Sequence, residues 1–181
     1  MDEVLKVIRE RRSIRAYLEK EIPKDIIRKL ILALIWAPSA GNLQARKFYF
    51  VRNKEIKLKI AKAALEQMFI AQAPLVVVGC IDKRKISSRY GERGVKLYAI
   101  QDVACSLQNL MLVAHENGLG SVWVGAFYEE EISEILKLPP NLRPVAIIPV
   151  GYPNEPYDME FVFPCESWES RRQTTNFTTR I

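Results

Sequence analysis

Two short stretches hold residues whose types and spacing could do chemistry. The first is Arg11-Arg12-Ser13-Ile14-Arg15, which sets three guanidinium groups and a hydroxyl within five positions. A guanidinium fork makes parallel charge-assisted bonds to phosphate oxygens, and a serine hydroxyl adds a further donor, so this segment suits an anionic group. A solvated basic turn after a helix is the other reading. The second stretch is Pro38-Ser39-Ala40-Gly41-Asn42, between an apolar helical run and an apolar–aromatic strand. Proline and glycine this close together end regular structure, and Ser and Asn bond backbone or ligand from such a turn. The loop is either a holder for a planar polar ligand or a well-capped connection.

The usual side-chain catalysts are missing from the sequence. No GxGxxG follows a strand, and neither a P-loop nor a GxSxG elbow occurs. The single histidine, His115, falls near the end of an apolar helix, where the helix dipole suits it. Cys80, Cys105 and Cys165 have no CxxC spacing, which argues against both a disulfide framework and a Cys/His metal site. Cys80 and Cys105 read as buried small hydrophobes. If the chain is an enzyme, its reactive group is borrowed, and the protein supplies binding and orientation.

Composition agrees. The chain has 181 residues, 49% hydrophobic and 27% charged, with a net charge of +6. That is enough for one domain with a substantial core, spanning 1–181, and it excludes extended disorder. The basic excess is interspersed with acids and forms no stripe interleaved with aromatics, so a nucleic-acid partner is not expected. No uninterrupted apolar run reaches the roughly 20 residues of a membrane span. The N-terminus MDEVLKVIRERR is an amphipathic charged helix and not a signal peptide, which makes the cytoplasm the expected compartment.

Periodicity supplies the elements that must position these residues. Helices are expected over Asp2–Glu10, then from Pro23 through Ile26, Leu30 and Leu34, over Lys54 to about Ile70, from about Leu97 to Asn117, and over Glu129–Leu136. Gly118 is the expected cap of the long helix. Strands are expected over Lys47–Val51, Leu75–Ile81, Ser121–Phe127 and Val145–Val150, with the second buried on both faces. The charged segment from Asp82 to Lys96 reads as a mobile connection or lid with a short helix. Trp123 is read as a core residue. Beyond Pro153 the chain alternates polar and aromatic residues and needs a surface to lie on, such as a second subunit. Strands separated by helices make the fold class α+β.

Four segments, in order, resemble the FMN-dependent nitroreductase family: RRSIR, APSAGNLQ, AIQDVACSLQNLMLVAHENGLGSVWVGAF (Ala99 to Phe127) and PVAIIPVGYP (Pro144 to Pro153). The resemblance implies a three-layer fold with a central mixed sheet flanked by helices. It also implies an intertwined homodimer in which the C-terminal tail is exchanged between subunits.

It implies site residues as well. Arg11 and Ser13 would hold the FMN phosphate, Arg12 would contact the cofactor, and Arg15 would face the flavin's pyrimidine ring. Pro38, Ser39, Ala40, Asn42 and Gln44 would line the flavin of the partner subunit, with Gln67 as a further polar contact. The family commonly continues Gln-Pro-Trp, where this chain has Gln44-Ala45-Arg46. A backbone N–H at Gly125 or Ala126 would point at flavin N5, and Arg171 or Arg172 would reach the phosphate from the tail. The activity implied is hydride transfer from NADH or NADPH to FMN, then to a small-molecule electron acceptor such as a nitroaromatic, quinone or free flavin. Flavin-destroying and dehalogenating relatives share such a site. A basic nucleic-acid-binding domain would explain the charge but not the order of the motifs.

Overall fold

A computed structural model of the chain describes residues 2–154. The elements run α1 (Glu3–Glu10), α2 (Lys24–Ile35), β1 (Arg46–Val51), α3 (Lys54–Ala63), α4 (Phe69–Gln72), β2 (Leu75–Asp82), α5 (Lys83–Arg93), α6 (Ala99–Glu116), β3 (Gly120–Ser121), α7 (Glu129–Ile135) and β4 (Leu142–Gly151). The strands form one sheet in the order β1-β2-β4-β3, and every neighbouring pair is antiparallel. The expected mixed character is confined, among the described residues, to a parallel bridge between Ser13 and Ser121.

β2 reads LVVVGCID and is buried along nearly its whole length because both faces are covered. Alternation sorts its side chains between two layers. Leu75, Val77 and Ile81 face Leu30 and Leu34 of α2 and Val103, Leu107 and Leu110 of α6. Val76, Val78 and Cys80 face Ile60 and Ala61 of α3, Ile70 of α4 and Ile132 of α7. Gly79 lets α6 close on the sheet, since a Cβ there would lie 2.8 Å from Val103 and 3.0 Å from Leu107. The result is the three-layer α+β architecture.

Several boundaries differ from expectation. The helix over Lys54–Ile70 breaks after Ala63, where Leu65 and Glu66 take φ of 56° and 57°, and resumes at Phe69. In the charged stretch read as a connection or lid with a short helix, the helix is α5 and takes up most of the segment, capped by the Asp82 side chain on the Lys85 N–H. A π-helical turn over Gly94–Tyr98 then leads into α6. Alternating charge hid the length of this helix from a reading based on an apolar stripe. The strand over Ser121–Phe127 shrinks to Gly120–Ser121 plus a bridge from Val124 to Ile147. Trp123 is 40% exposed, and Cys105 is exposed as well, so neither is a core residue.

α6 ends as foreseen. Gly118, at φ 73°, donates its N–H to His115 O, and Leu119 N donates to Ala114 O, the paired bonds of a Schellman cap. The helical run Lys83–Glu116 is long and apolar enough to cross a membrane by composition. Its apolar face forms the core against the sheet. Arg171, Arg172, Cys165 and the exchanged tail lie outside the described residues.

Candidate active site

The RRSIR segment begins where α1 ends. Arg11 is the C-cap of α1, its N–H bonded to Val7 O. Arg12 folds back over the same helix end, donating from Nη1 to Arg9 O at 2.6 Å and to Arg11 O at 3.1 Å. A cation there complements the helix dipole. Part of the Arg12 guanidinium is therefore engaged in capping, a duty that the resemblance did not imply.

The segment is then tied to the sheet. Ser13 bridges Ser121, and Ile14 N donates to Ser121 O at 3.1 Å. The Ile14 side chain lies over Gly120, where an added Cβ would come within 2.6 Å of it. The Tyr17 hydroxyl donates to Ile14 O and also reaches Pro149 O on β4 at 3.4 Å. This anchoring leaves Ser13 and Arg15 exposed beside the strand.

A cavity of about 230 Å³ opens here, lined by Arg11, Arg12, His115, Gly118, Gly120 and Ser121 among others. Burial lowers the pKa of Arg11 and so does Arg12 beside it, the mark of crowded like charges. His115 is likewise lowered, by burial first, with Glu10 opposing and Arg11 and Arg12 adding to it. An anion in this cavity would relieve that repulsion. Sequence reasoning had left His115 outside the site, because nothing local shows that the end of α6 meets the end of α1.

The Pro38–Asn42 loop sits at the other end of α6. Ala40–Asn42 is a short 3-10 turn in which Gly41 and Asn42 have φ of 53° and 54°, and Gln44 follows at 51°. For non-glycine residues the left-handed region costs about 1–2 kcal/mol each, so something must hold it. Ser39 Oγ accepts from Gln44 N at 3.0 Å, and Asp102 Oδ1 accepts from Ala40 N at 2.9 Å. Arg46 reaches the carbonyls of Ile35, Ala37 and Pro38 at 3.2, 2.7 and 2.8 Å, and the Asp102 carbonyl at 3.3 Å. Burial raises the Asp102 pKa, opposed by the Ala40 N–H and by Arg46. Tyr90 and Arg89 of α5 close over Gly41.

The strand exit after β3 supplies a third component. Gly125 and Ala126 are exposed, with Val124 N and O both bonded to Ile147. Gln67, presented by the left-handed pair Leu65-Glu66, donates from Nε2 to Ala64 O at 2.8 Å and to Ala126 O at 3.1 Å. Its amide nitrogen thus holds the main chain expected to face a flavin.

The fold therefore joins RRSIR, Ser121 and the Gly125–Ala126 exit along one edge. It places Pro38–Asn42 and Gln44 elsewhere. Asp102 and His115 are thirteen residues apart on α6, which at 1.5 Å per residue separates the two regions by about 20 Å. Besides His115, Asp102 and Arg46 are residues that the sequence did not point to.

Comparison with known proteins agrees with this fold. The Nitroreductase family model matches residues 8–152. A putative NADH dehydrogenase/NAD(P)H nitroreductase of Methanothermobacter thermautotrophicus is 33% identical over 159 residues, covering 84% of this chain and 78% of that protein. An FMN reductase [NAD(P)H] of Bacillus subtilis is 30% identical over 167 residues, covering 84% and 67%. The solved structure of B. megaterium NfrA2 superposes with a TM-score of 0.80 at 29% identity, over 87% of this chain and 69% of that one. With the family model spanning residues 8–152 and a three-layer α+β fold that pins the basic segment against Ser121, the chain belongs to the nitroreductase family.

Proposed function

We propose that this protein is an FMN-dependent NAD(P)H oxidoreductase that acts as a homodimer and reduces quinones, nitroaromatics or flavins. The observation that carries the reading is the RRSIR segment fixed to Ser121, with a cavity beside it lined by Arg11, Arg12 and His115. That donor set suits a phosphate monoester in charge and in hydrogen-bonding capacity. Bound FMN would supply the redox chemistry, taking a hydride from NADH or NADPH and passing it to the acceptor.

The chain's own residues bind and orient. Arg11 and Ser13 take the phosphate, Arg15 faces the pyrimidine ring, and a backbone N–H at Gly125 or Ala126 points to N5. The net reaction with a quinone is NAD(P)H + H⁺ + quinone → NAD(P)⁺ + hydroquinone, in two half-reactions on one open face. No side-chain nucleophile is needed, in keeping with the single histidine.

Two features support the dimer. Val4, Leu5 and Ile8 of α1 and Leu32 and Ile35 of α2 are each at least half exposed, and Trp36 is 81% exposed. An apolar patch of this extent belongs in an interface. Among the described residues β1 is also an open sheet edge, with which an exchanged tail strand could pair. A two-fold interface can bring one chain's Pro38–Asn42 loop to the other's RRSIR, whereas within one chain α6 holds them apart.

The test is an anaerobic titration of FMN-loaded protein with NAD(P)H, expected to bleach the flavin band. A protein with no flavin band that binds duplex DNA in a salt-sensitive manner would refute the proposal. Mixed dimers test the sharing. A chain with Arg11→Glu and Arg15→Glu, paired with a chain carrying Ser39→Tyr and Asn42→Asp, should recover up to about half the wild-type turnover. A folded heterodimer with no activity refutes the shared site.

A further inference from the structure

We propose that Asp102 and Arg46 are positioning residues, a two-sided clamp that fixes the Pro38–Asn42 loop in the conformation able to line the flavin site. The inference rests on the function proposed above and adds residues that neither the family motifs nor the relatives' names assign.

Three left-handed backbone positions, Gly41, Asn42 and Gln44, fall within four residues, and two of them carry side chains. Left to itself such a turn relaxes toward right-handed or extended geometry. Strained backbone persists only where its surroundings over-determine it, and it concentrates at ligand sites. Besides the Ser39–Gln44 bond and the α5 side chains over Gly41, two side chains from outside the loop hold it by hydrogen bonds. Arg46 holds the incoming limb by the carbonyls of Ile35, Ala37 and Pro38, the carbonyls left open where α2 ends. Asp102 holds the turn itself by the Ala40 N–H.

The two sides are joined, because Arg46 Nη1 also bonds the Asp102 carbonyl. Loop, β1 and α6 are thus locked together at one point. Arg46 stands where the family commonly has an aromatic residue, so this chain replaces packing by a hydrogen-bonded fork. Lysine could not do the same, since one ammonium cannot span three divergent carbonyls.

Asp102 is 6% exposed, and its Oδ2 has no hydrogen-bond partner among the described residues. A buried carboxylate with an unsatisfied oxygen is costly, and apolar or amide side chains would suit core packing better. What the carboxylate provides is a strong acceptor for one loop amide. Asparagine keeps that acceptor and removes the charge, whereas alanine removes both.

The experiment compares Asp102→Ala, Asp102→Asn and Arg46→Lys, reading the FMN dissociation constant by flavin fluorescence and then turnover in mixed dimers. Asp102→Ala should weaken FMN binding about tenfold or more, and Asp102→Asn should stay within about threefold of wild type. Arg46→Lys should fall between them. Equal weakening by Asp102→Ala and Asp102→Asn overturns the clamp, since charge and not the Ala40 bond would then matter. Wild-type affinity in Asp102→Ala and Arg46→Lys overturns it as well.

The clamp must also act through the loop, and so on the partner's flavin. An Asp102→Ala chain paired with an Arg11→Glu/Arg15→Glu chain should recover up to about half the activity, as the Ser39→Tyr/Asn42→Asp chain does. Recovery with the loop variant but none with Asp102→Ala refutes the clamp alone. Failure of both pairs refutes the shared site beneath it. If Asp102→Ala does not fold, Arg46→Lys takes its place in the mixed dimer with the same outcomes.

Discussion

Replacing Gln67 separates two roles that this residue could have. The resemblance makes it a contact to the flavin. The structure spends both hydrogens of its amide nitrogen on protein carbonyls, Ala64 O at 2.8 Å and Ala126 O at 3.1 Å. The first bond is local, but the second spans 59 positions and ties the α3–α4 turn to the strand exit. Gln67→Leu keeps the volume and removes the donors. Each lost bond contributes about 0.5–1.5 kcal/mol net, and the Ala126 bond is the one that orders the exit. At about 1.4 kcal/mol per factor of ten, a main chain that loses this orientation should slow flavin reduction roughly 2- to 13-fold. Gln67→Glu should be worse, because an ionised carboxylate cannot donate and would face two carbonyl oxygens. The assay is anaerobic stopped-flow reduction by NAD(P)H at saturating FMN, with the FMN dissociation constant measured alongside. Slower reduction with near-native affinity is the expected result. Weakened FMN binding with an unchanged reduction rate would show that Gln67 touches the flavin directly and would refute its role in holding Ala126.

Three further outcomes follow from the geometry. Gly120→Ala places a Cβ 2.6 Å from the Ile14 side chain, so it should destabilise the protein by about 1–3 kcal/mol and weaken FMN binding by displacing RRSIR; unchanged thermal stability would contradict this. Glu129 and Arg143 pair bidentately at 2.7 Å, and the hydrogen bond from Arg143 lowers the Glu129 pKa. The stability from this pair is present above the unfolded glutamate value of about 4.3 and is lost as pH falls through the lower folded value. Both side chains are about 40% exposed, so solvent screening limits the contribution to about 0.5–1 kcal/mol. Denaturant unfolding of wild type and Arg143→Met should therefore differ by that amount at pH 7 and converge in acid; a gap that persists at pH 3 would exclude this origin. Cys80 is buried, and desolvation pushes its thiol up to about 12, whereas Cys105 is exposed. A maleimide should label Cys105 in the folded protein and Cys80 only after unfolding, as read by peptide mass; prompt labelling of Cys80 would contradict the packing.

What the sequence determined by itself is what local periodicity and residue chemistry encode. The unbroken apolar run from Leu75 to Ile81 specified a strand covered on both sides, and the i, i+4, i+8 spacing of Ile26, Leu30 and Leu34 specified the buried face of α2. Gly118 specified the C-terminal cap of α6 because few other residues accept φ of 73°. The order of four short motifs was enough to indicate the family. Only the tertiary structure decided which partners those faces and polar groups meet. Asp102 sits on a helix whose pattern is otherwise core, and nothing within it reveals that its carboxylate receives an amide 62 positions away. Arg12 carries the same charge as Arg11, yet only the folded end of α1 commits it to capping. Trp123 reads as core by composition but lies exposed, between the Gly120–Ser121 strand and the Val124 bridge to β4. The reason is physical: period and propensity depend on neighbours a few residues away along the chain. A hydrogen bond or a buried charge depends on what packing brings across space, and that is set when the layers close around the sheet.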